Sequence, residues 1–321
     1  MKYLITLKPL EPYLFGGDNT FGKLGDKENG TYLVSSQHYP QQSALLGMLK
    51  KEIMTQSGVL TRKVRGEWVD KSEWSRANTL VGNEKFNFMA VSLQDFGTIS
   101  SLSPIFLTKE GKHYIKKVDI DSYPYQNGLL ENYSSKEEFA LYDNYISTDG
   151  KEKLVSKNIF LPVEKTGNKK GGQDNSLFKK SAYLLEDGFS FAIYLNCEYA
   201  LKDSIVTLGA DRSSFKMSVE EAEDGALNYI DKNGYLTLLS DSYISLPIKE
   251  HCVYAITSEV SFRSLENKKH ATNQIAFKKS EKVYLYERGS VFIEPSDALL
   301  ADINRENLQQ VGYNIYTQGE K

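Results

Sequence analysis

The sequence predicts an α+β protein, with strands and a few helices mixed in each half in a manner suggesting two related βαββαβ units. Short alternating runs recur along the chain, and turn residues separate them. Tyrosine and phenylalanine, which favour sheets, number 21 and 15 among 321 residues. With 40% hydrophobic and 25% charged residues, the chain should be globular with a core. This length suits two domains, which we expect at residues 1–150 and 151–321.

The first half begins with a strand and a helix. Residues 2–7 alternate as a strand, and Pro9 ends it. A helix follows Pro40, with Ser43 as its predicted cap. Its apolar face should consist of Leu45, Met48, Leu49 and Ile53.

The rest of this half should hold further strands and one helix. We expect strands within 86–106 and at 114–118, and a partly ordered insertion over 58–83. The Ser135/Glu138 spacing is a capping box, which predicts a helix as far as about Ile146. The turn at 147–150 then marks the domain boundary.

The second half is dominated by strands. Asp187-Gly188 between the runs 178–185 and 189–195 predicts a β-hairpin. A second hairpin should join 283–286 to 291–293 through Arg288-Gly289. Ser296 is the predicted cap of a short helix, and a strand at 312–317 closes the fold.

Charge and targeting signals restrict the class of protein. The net charge is −3, so any nucleic acid should be held by local basic patches and not by the whole surface. The N-terminal residues begin a strand and do not resemble a signal peptide, and no apolar run is long enough to cross a bilayer. Cys197 and Cys252 should be reduced thiols. We therefore expect a cytoplasmic protein without a membrane partner.

The sequence contains none of the common catalytic or metal-binding motifs. The four histidines have no metal-ligand spacing, so we expect no metal, no cofactor and no catalytic residues. His38 supports one alternative, because a histidine beside a helix start could act as general base in RNA cleavage.

Two loop segments are suited to close approach by a ligand. The free amides at Gln42 and Ser43 could face a phosphate or a passing backbone, although an ordinary capped helix explains the same residues. The turn 207–215 contains Gly209 and Arg212, and Arg212 could bind phosphate or pair with Asp211.

Taken in order, six segments resemble the RAMP superfamily of CRISPR ribonucleoproteins, and most of all the subunit-three family of type III-B effector complexes (Cmr). The opening strand and its exit, the helix start after Pro40 and a strand near Pro104 resemble the family in position. So do the Leu-Gly-Ala-Asp-Arg turn, the Arg-Gly-Ser-Val-Phe segment and the final Gly-Tyr strand. The segments that carry the resemblance are 7–15, 39–47, 102–107, 208–212, 288–292 and 311–315. Ala44, Ala210 and Asn314 depart from the family pattern, and Asn314 replaces a glycine with a residue that tolerates positive φ.

The resemblance implies two ferredoxin-like (RRM-like) units with large insertions and a non-catalytic role. Such a subunit binds the 5′ repeat-derived tag of the crRNA and bridges the large polymerase-like subunit and the first backbone subunit. Tag recognition needs cations, backbone amides and stacking groups. The candidate RNA-binding residues are Gly16, Gly17, Gln42, Ser43, Lys50, Lys165, Lys179, Lys180, Arg212 and Gly312.

Three alternatives stay open. The type III-A counterpart shares the fold and the role. A crRNA-processing endoribonuclease of the same superfamily would use His38. An unrelated β-rich interaction module would bind no nucleic acid, so this alternative predicts no salt-sensitive RNA binding.

Overall fold

The computed structural model describes most of the chain. The described residues are 1–16, 32–59, 63–64, 67–68, 71–83, 85–134, 136, 141–168, 177–209, 212–223, 227–229, 235–262, 265–269, 275–279 and 281–319. Gly17, Asp211 and the predicted capping box at Ser135 and Glu138 lie outside them.

The described residues form many short strands and few helices. The strands are β1 (Lys2–Pro9), β2 (Tyr32–Ser35), β3 (Lys63–Val64), β4 (Glu67–Trp68), β5 (Ile99–Leu102), β6 (Phe106–Lys109), β7 (Lys112–Lys116), β8 (Tyr125–Gln126), β9 (Leu129–Leu130), β10 (Asn144–Ser147), β11 (Lys153–Val155), β12 (Phe160–Asn168), β13 (Leu177–Leu185), β14 (Phe189–Cys197), β15 (Ser204–Leu208), β16 (Ser213–Glu221), β17 (Leu236–Leu238), β18 (Tyr254–Ile256), β19 (Glu259–Phe262), β20 (Leu265–Lys269), β21 (Ile275–Lys279), β22 (Val283–Tyr286), β23 (Val291–Ile293) and β24 (Tyr316–Gln318). The α-helices are α1 (Gln42–Gln56), α2 (Lys71–Val81), α3 (Asp297–Ile303) and α4 (Glu306–Gln309). None of these helices has the length and apolar character needed to cross a bilayer.

A main antiparallel sheet organises the molecule. Its order is β11-β10-β7-β6-β14-β1-β16-β15, and β5 also pairs with β14. The first strand of the chain lies between β14 and β16, so strands from both sides of residue 150 share this sheet. The turn at 147–150 forms as expected, with Gly150 at φ +73°. That turn does not separate two sheets.

Smaller sheets surround the main one. β12 pairs with β13, and β2 joins β13 in parallel. A C-terminal sheet has the order β18-β23-β17-β24. The described strands are thus mostly antiparallel with few helices, which confirms a mixed α and β fold.

Both predicted hairpins are wrong in their pairing, although their turns exist. Gly188 and Gly289 adopt φ of +87° and +85°. However, β13 pairs with β12 and β2, whereas β14 pairs with β1, β5 and β6. Likewise β22 pairs with β19, whereas β23 pairs with β17 and β18. In each case the turn passes the chain from one sheet to another.

Several element boundaries also differ from the prediction. Residues 144–147 form β10 and not the end of a helix. Part of the predicted insertion is α2, which buries Ala77 and Val81. Residues 85–98 are irregular, and only 99–102 of the expected 86–106 region form a strand before β6. The strand predicted at 2–7 is confirmed and extends through Pro9, and α3 with its Ser296 cap and the left-handed Asn314 (φ +54°) are confirmed as well.

The largest core cluster lies between one face of the main sheet and α1. The predicted apolar face of α1 is buried there, as Leu45, Met48, Leu49 and Ile53. Near the start of β14 the cluster becomes strongly aromatic. Tyr13 packs at 4.5 Å from Phe15 and 5.5 Å from Phe191, measured between ring centroids. This aromatic end of the sheet carries the loops described next.

Candidate nucleic-acid interface

At the start of α1, Gln41 and Gln42 are buried inside the protein, whereas Ser43 is half-buried. Gln41 is the N-cap and makes no side-chain cap hydrogen bond, so the predicted Ser43 cap is wrong. The Ser43 amide donates instead to the Tyr313 hydroxyl (3.4 Å), which donates to Gln41 Oε1 (3.1 Å). A tyrosine from the C-terminal segment therefore occupies the place expected for a ligand.

Gln42 is the clearest correction among the candidate RNA-binding residues. It is 1% exposed. Its side-chain Nε2 donates to the carbonyls of Ser103 (2.8 Å) and Val311 (2.9 Å), and its Oε1 accepts from the Ile105 amide (3.2 Å). Because these bonds use the side chain inside the core, Gln42 is not available to RNA in this conformation.

Gly312 is buried beside Gln42 and is likewise unavailable to RNA. It adopts φ +84°, and a Cβ there would overlap the Nε2 of Gln42 and the carbonyl oxygen of Ser103. The glycine lets the C-terminal segment approach α1 closely. The predicted RNA-binding residues Gln42 and Gly312 therefore contact each other, but this contact serves the packing of the fold.

The turn that contains Arg212 lies beside α1 and beside the segment that ends in Gly16. The Lys51 Nζ donates to Thr207 Oγ1 (3.4 Å), beside the turn at Gly209. A Cβ on Gly209 would stand 2.6 Å from the Leu14 carbonyl oxygen, so this turn packs against the segment that ends in Gly16. Within the turn, the exposed Arg212 has φ +55°, and its amide donates to the Gly209 carbonyl (3.2 Å).

The segment that ends in Gly16 also contacts the two-stranded ribbon formed by β12 and β13. Phe15 donates its amide to Ser36 Oγ (2.8 Å), and Ser36 donates its amide to the Ser181 carbonyl (2.9 Å). On that ribbon Lys165 stands directly opposite Lys180. Directly opposed residues share a face of the sheet, so these two positive charges are side by side. We call four predicted RNA-binding residues, Gly16, Lys165, Lys180 and Arg212, together with Lys51, which was not predicted, the basic band.

Two further lysine candidates lie next to this band. Lys50, beside Lys51 on α1, holds its Nζ 4.5 Å from the centroid of the Phe96 ring. Lys179 occupies the position before Lys180 in β13, opposite Thr166. The structure therefore brings the lysines, Arg212 and Gly16 to neighbouring elements, whereas Gln42 and Gly312 are buried.

His38 has an environment that suits packing better than proton transfer. Its ring stacks on Phe160 with centroids 4.1 Å apart and planes 5° apart, and Tyr183 meets it edge-on at 4.8 Å. Burial, with the nearby positive charge of Lys116, lowers the pKa of His38 to about 4. A base with that pKa is far from the value near 7 that serves general base catalysis best.

A buried ion pair beside Tyr39 was missed by the sequence interpretation. The Arg288 Nε donates to Asp241 Oδ1 (3.1 Å), and its Nη1 donates to the Ile105 carbonyl (2.9 Å). Its guanidinium carbon lies 4.2 Å from the Tyr39 ring centroid. Burial acts to lower the pKa of Arg288, but the Asp241 carboxylate outweighs it and the pKa lies above its usual value. Arg288 thus joins the C-terminal half to the loop that enters α1.

The described residues contain no group of three or more His, Cys, Asp and Glu side chains placed to hold a metal ion. Cys197 and Cys252 are unpaired thiols, as expected. Along the basic band the described residues offer cations, backbone amides and neighbouring aromatic rings.

Comparison with solved structures identifies the fold. No family model and no curated protein matches the sequence. A chain of the type III-B Cmr-beta complex bound to cognate target RNA, solved by cryo-EM, has a TM-score of 0.54 at 16% identity. The match covers 99% of this chain and 96% of that chain. The same complex bound to cognate target RNA and AMPPnP gives a TM-score of 0.52, also at 16% identity, over 98% of this chain and 96% of that one.

A third comparison gives a lower score. A chain of the Csm3-Csm4 subcomplex of the type III-A interference complex gives a TM-score of 0.40 at 11% identity. That score is too low to establish a common fold. On the two matches with TM-scores above 0.5, the chain shares its fold with a chain of a type III-B complex over nearly its whole length.

Proposed function

We propose that this protein is a non-catalytic subunit of a type III CRISPR effector complex, and specifically subunit three of a type III-B (Cmr) complex. The observation that carries this proposal is the end-to-end fold match with a chain of an RNA-bound type III-B complex. The six ordered segments that resemble the same family support it independently. A localisation in the cytoplasm is part of the proposal.

In this role the protein binds the 5′ repeat-derived tag of the crRNA. The basic band supplies lysine and arginine cations for the RNA phosphates, and the segments at Gly209 and Gly16 bring the protein backbone close to the RNA strand. The net charge of −3 is compatible with this role, because only the band needs to face RNA. The remaining surface is available to the large polymerase-like subunit and the first backbone subunit.

We further propose that the fold derives from two ferredoxin-like units, residues 1–150 and 151–321. In that arrangement the two units share the main sheet, since β1 lies between β14 and β16.

The decisive experiment is crosslinking within the complex assembled on its own guide RNA. The complex is copurified, the bound small RNA is sequenced, and 4-thiouridine is placed at successive tag positions. We expect crosslinks from tag nucleotides to peptides containing Arg212 or Lys165 and Lys180. Crosslinks of the tag to other subunits alone would refute the proposed role.

The endoribonuclease alternative is tested with the isolated protein and repeat RNA in the presence of EDTA. Cleavage that is lost in His38→Ala would establish it. The stacked, weakly basic environment of His38 leads us to expect no cleavage.

A further inference from the structure

A cavity of about 430 Å³ opens on the main sheet. It lies where β6 ends and β7 begins, and is lined by Lys109, Lys112, Tyr114, Glu152, Asn158 and Phe189, among others. This volume is within the range of small-ligand sites in proteins. We call it the β6–β7 groove.

The groove and the basic band lie at the same end of the sheet. Lys109 pairs with Phe189 at the start of β14, and Phe215 of β16 pairs with Pro9 at the matching end of β1. The Gly209–Arg212 turn enters β16 at this end. Three strand spacings separate β16 from β6, which amounts to ~14 Å across the sheet.

The base of the β12–β13 ribbon connects the two sites. Asn158, which lines the groove, is two residues before Phe160, the first residue of β12. The Glu186 amide at the end of β13 donates to the Ile159 carbonyl (2.8 Å). The opposed Lys165 and Lys180 are further along this same ribbon. A bound RNA strand that follows this ribbon therefore reaches the groove.

The charges in the groove suit a ligand that carries both an anion and hydrogen-bond donors. The Lys109 Nζ lies 4.9 Å from the Phe189 ring centroid, and no described carboxylate lies within 4 Å of it. Lys112 is paired with Glu152, which also accepts from the Tyr114 hydroxyl (2.6 Å). Glu110, at φ +51°, adds a second carboxylate to the rim.

A nucleotide has this combination of groups. Its phosphate matches the Lys109 ammonium, and a carboxylate accepts from the exocyclic amine of cytosine or adenine. The exposed Asn158 amide offers both a donor and an acceptor to a base edge. The side chains of an acidic peptide carry no hydrogen-bond donor for the carboxylates of Glu110 and Glu152, whereas a base offers them an exocyclic amine.

We propose that the β6–β7 groove binds a nucleotide of the same single RNA strand that crosses the basic band. This inference rests on the proposed function, because it extends the RNA path of that role. Lys109 holds the phosphate, and Glu110, Glu152 and Asn158 contact the base edge.

The test measures binding of fluorescent twelve-residue oligocytidine and oligouridine to the full chain over a series of salt concentrations. Lys109→Met removes the charge and keeps an apolar stem over Phe189, and Lys249→Met is the matched control at an exposed lysine outside the groove. We expect Lys109→Met to weaken binding roughly tenfold and to reduce the salt slope by about 0.7, the value for one phosphate contact on a single strand. Asn158→Ala should reduce the preference for oligocytidine.

The outcomes separate this inference from the proposed function. Absence of salt-sensitive RNA binding by the wild type would overturn both. Binding that weakens in Arg212→Asn but is unchanged in Lys109→Met and Asn158→Ala would overturn the groove alone. Mass-spectrometric mapping of 4-thiouridine crosslinks on the wild-type protein gives a readout that needs no variant, and we expect a crosslinked peptide spanning 109–114 or 157–158. Binding of a fluorescent oligoglutamate that Lys109→Met abolishes, with no RNA effect, would identify an acidic-peptide site instead.

Discussion

Gly312 lies directly against the side chain of Gln42. It is equally close to Ser103, because a Cβ at position 312 would stand 2.7 Å from the Ser103 carbonyl carbon. This contact joins the C-terminal segment, the start of α1 and the link between β5 and β6. The same contact buries the helix start that looks open in the sequence. The integrity of this junction can be measured directly.

Gly312→Ala should destabilise the protein by more than 1 kcal/mol, because alanine disfavours the left-handed conformation and its methyl group collides with Gln42 and Ser103. Urea unfolding followed by circular dichroism measures the change. Gly47→Ala is the matched control, since no atom lies within 4 Å of its would-be Cβ and the residue is helical. We expect it to be neutral or to stabilise by about 0.5–1 kcal/mol. Equal effects of the two changes would contradict the packing at Gly312.

Arg288→Met should cost about 3–5 kcal/mol of unfolding free energy, because it leaves the buried Asp241 carboxylate without its cation. Chemical denaturation measures this loss. The double variant Arg288→Met with Asp241→Leu should recover part of it, since neither buried charge then remains. A double variant less stable than Arg288→Met would indicate that the pair stabilises the fold beyond charge compensation.

Arg212→Asn should weaken binding of the tag RNA and reduce the slope of log K against log salt by about 0.7. Asparagine tolerates the left-handed conformation of this position, so the turn should keep its shape. Fluorescence anisotropy with the sequenced tag RNA measures both quantities. Lys249→Ala serves as the control for a general loss of positive charge. A slope unchanged in Arg212→Asn would remove Arg212 from the RNA contacts.

The stability of the protein should depend on His38 between pH 6.5 and pH 4. The pKa of His38 is lowered to about 4 in the folded protein, so the unfolded chain binds its proton first as pH falls. The contribution of neutral His38 to the free energy of unfolding is therefore complete above pH 6.5. It decreases as pH falls toward 4, by roughly 3 kcal/mol in total.

His38→Phe keeps an aromatic ring over Phe160 and removes the titration. The difference in unfolding free energy between wild type and His38→Phe should change over this pH range. Taking this difference cancels the contributions of His113 and the carboxylates, because both proteins contain them. Urea unfolding at half-unit pH steps provides the measurement. A pH-independent difference would show that His38 titrates normally.

The sequence alone determined the features that depend on neighbours along the chain. Alternation fixed β1, helical spacing fixed the buried face of α1, and the Ser296 hydroxyl caps α3 by accepting from the Leu299 amide (3.3 Å). Positive φ at Gly188 and Gly289 followed from the turn residues. These properties have a local physical cause, namely backbone conformation and side-chain period.

Only the tertiary structure decided which strands pair and which polar groups stay exposed. A turn at Gly188 is compatible with a hairpin or with a crossing between sheets, and the burial of β14 between β1 and β6 selects the crossing. A glutamine at a helix start looks accessible until Ser103 and Val311 bring their carbonyls to it. Contacts between residues far apart in sequence have no local signal, so the basic band and the β6–β7 groove became visible only when the sheet brought their loops to one end.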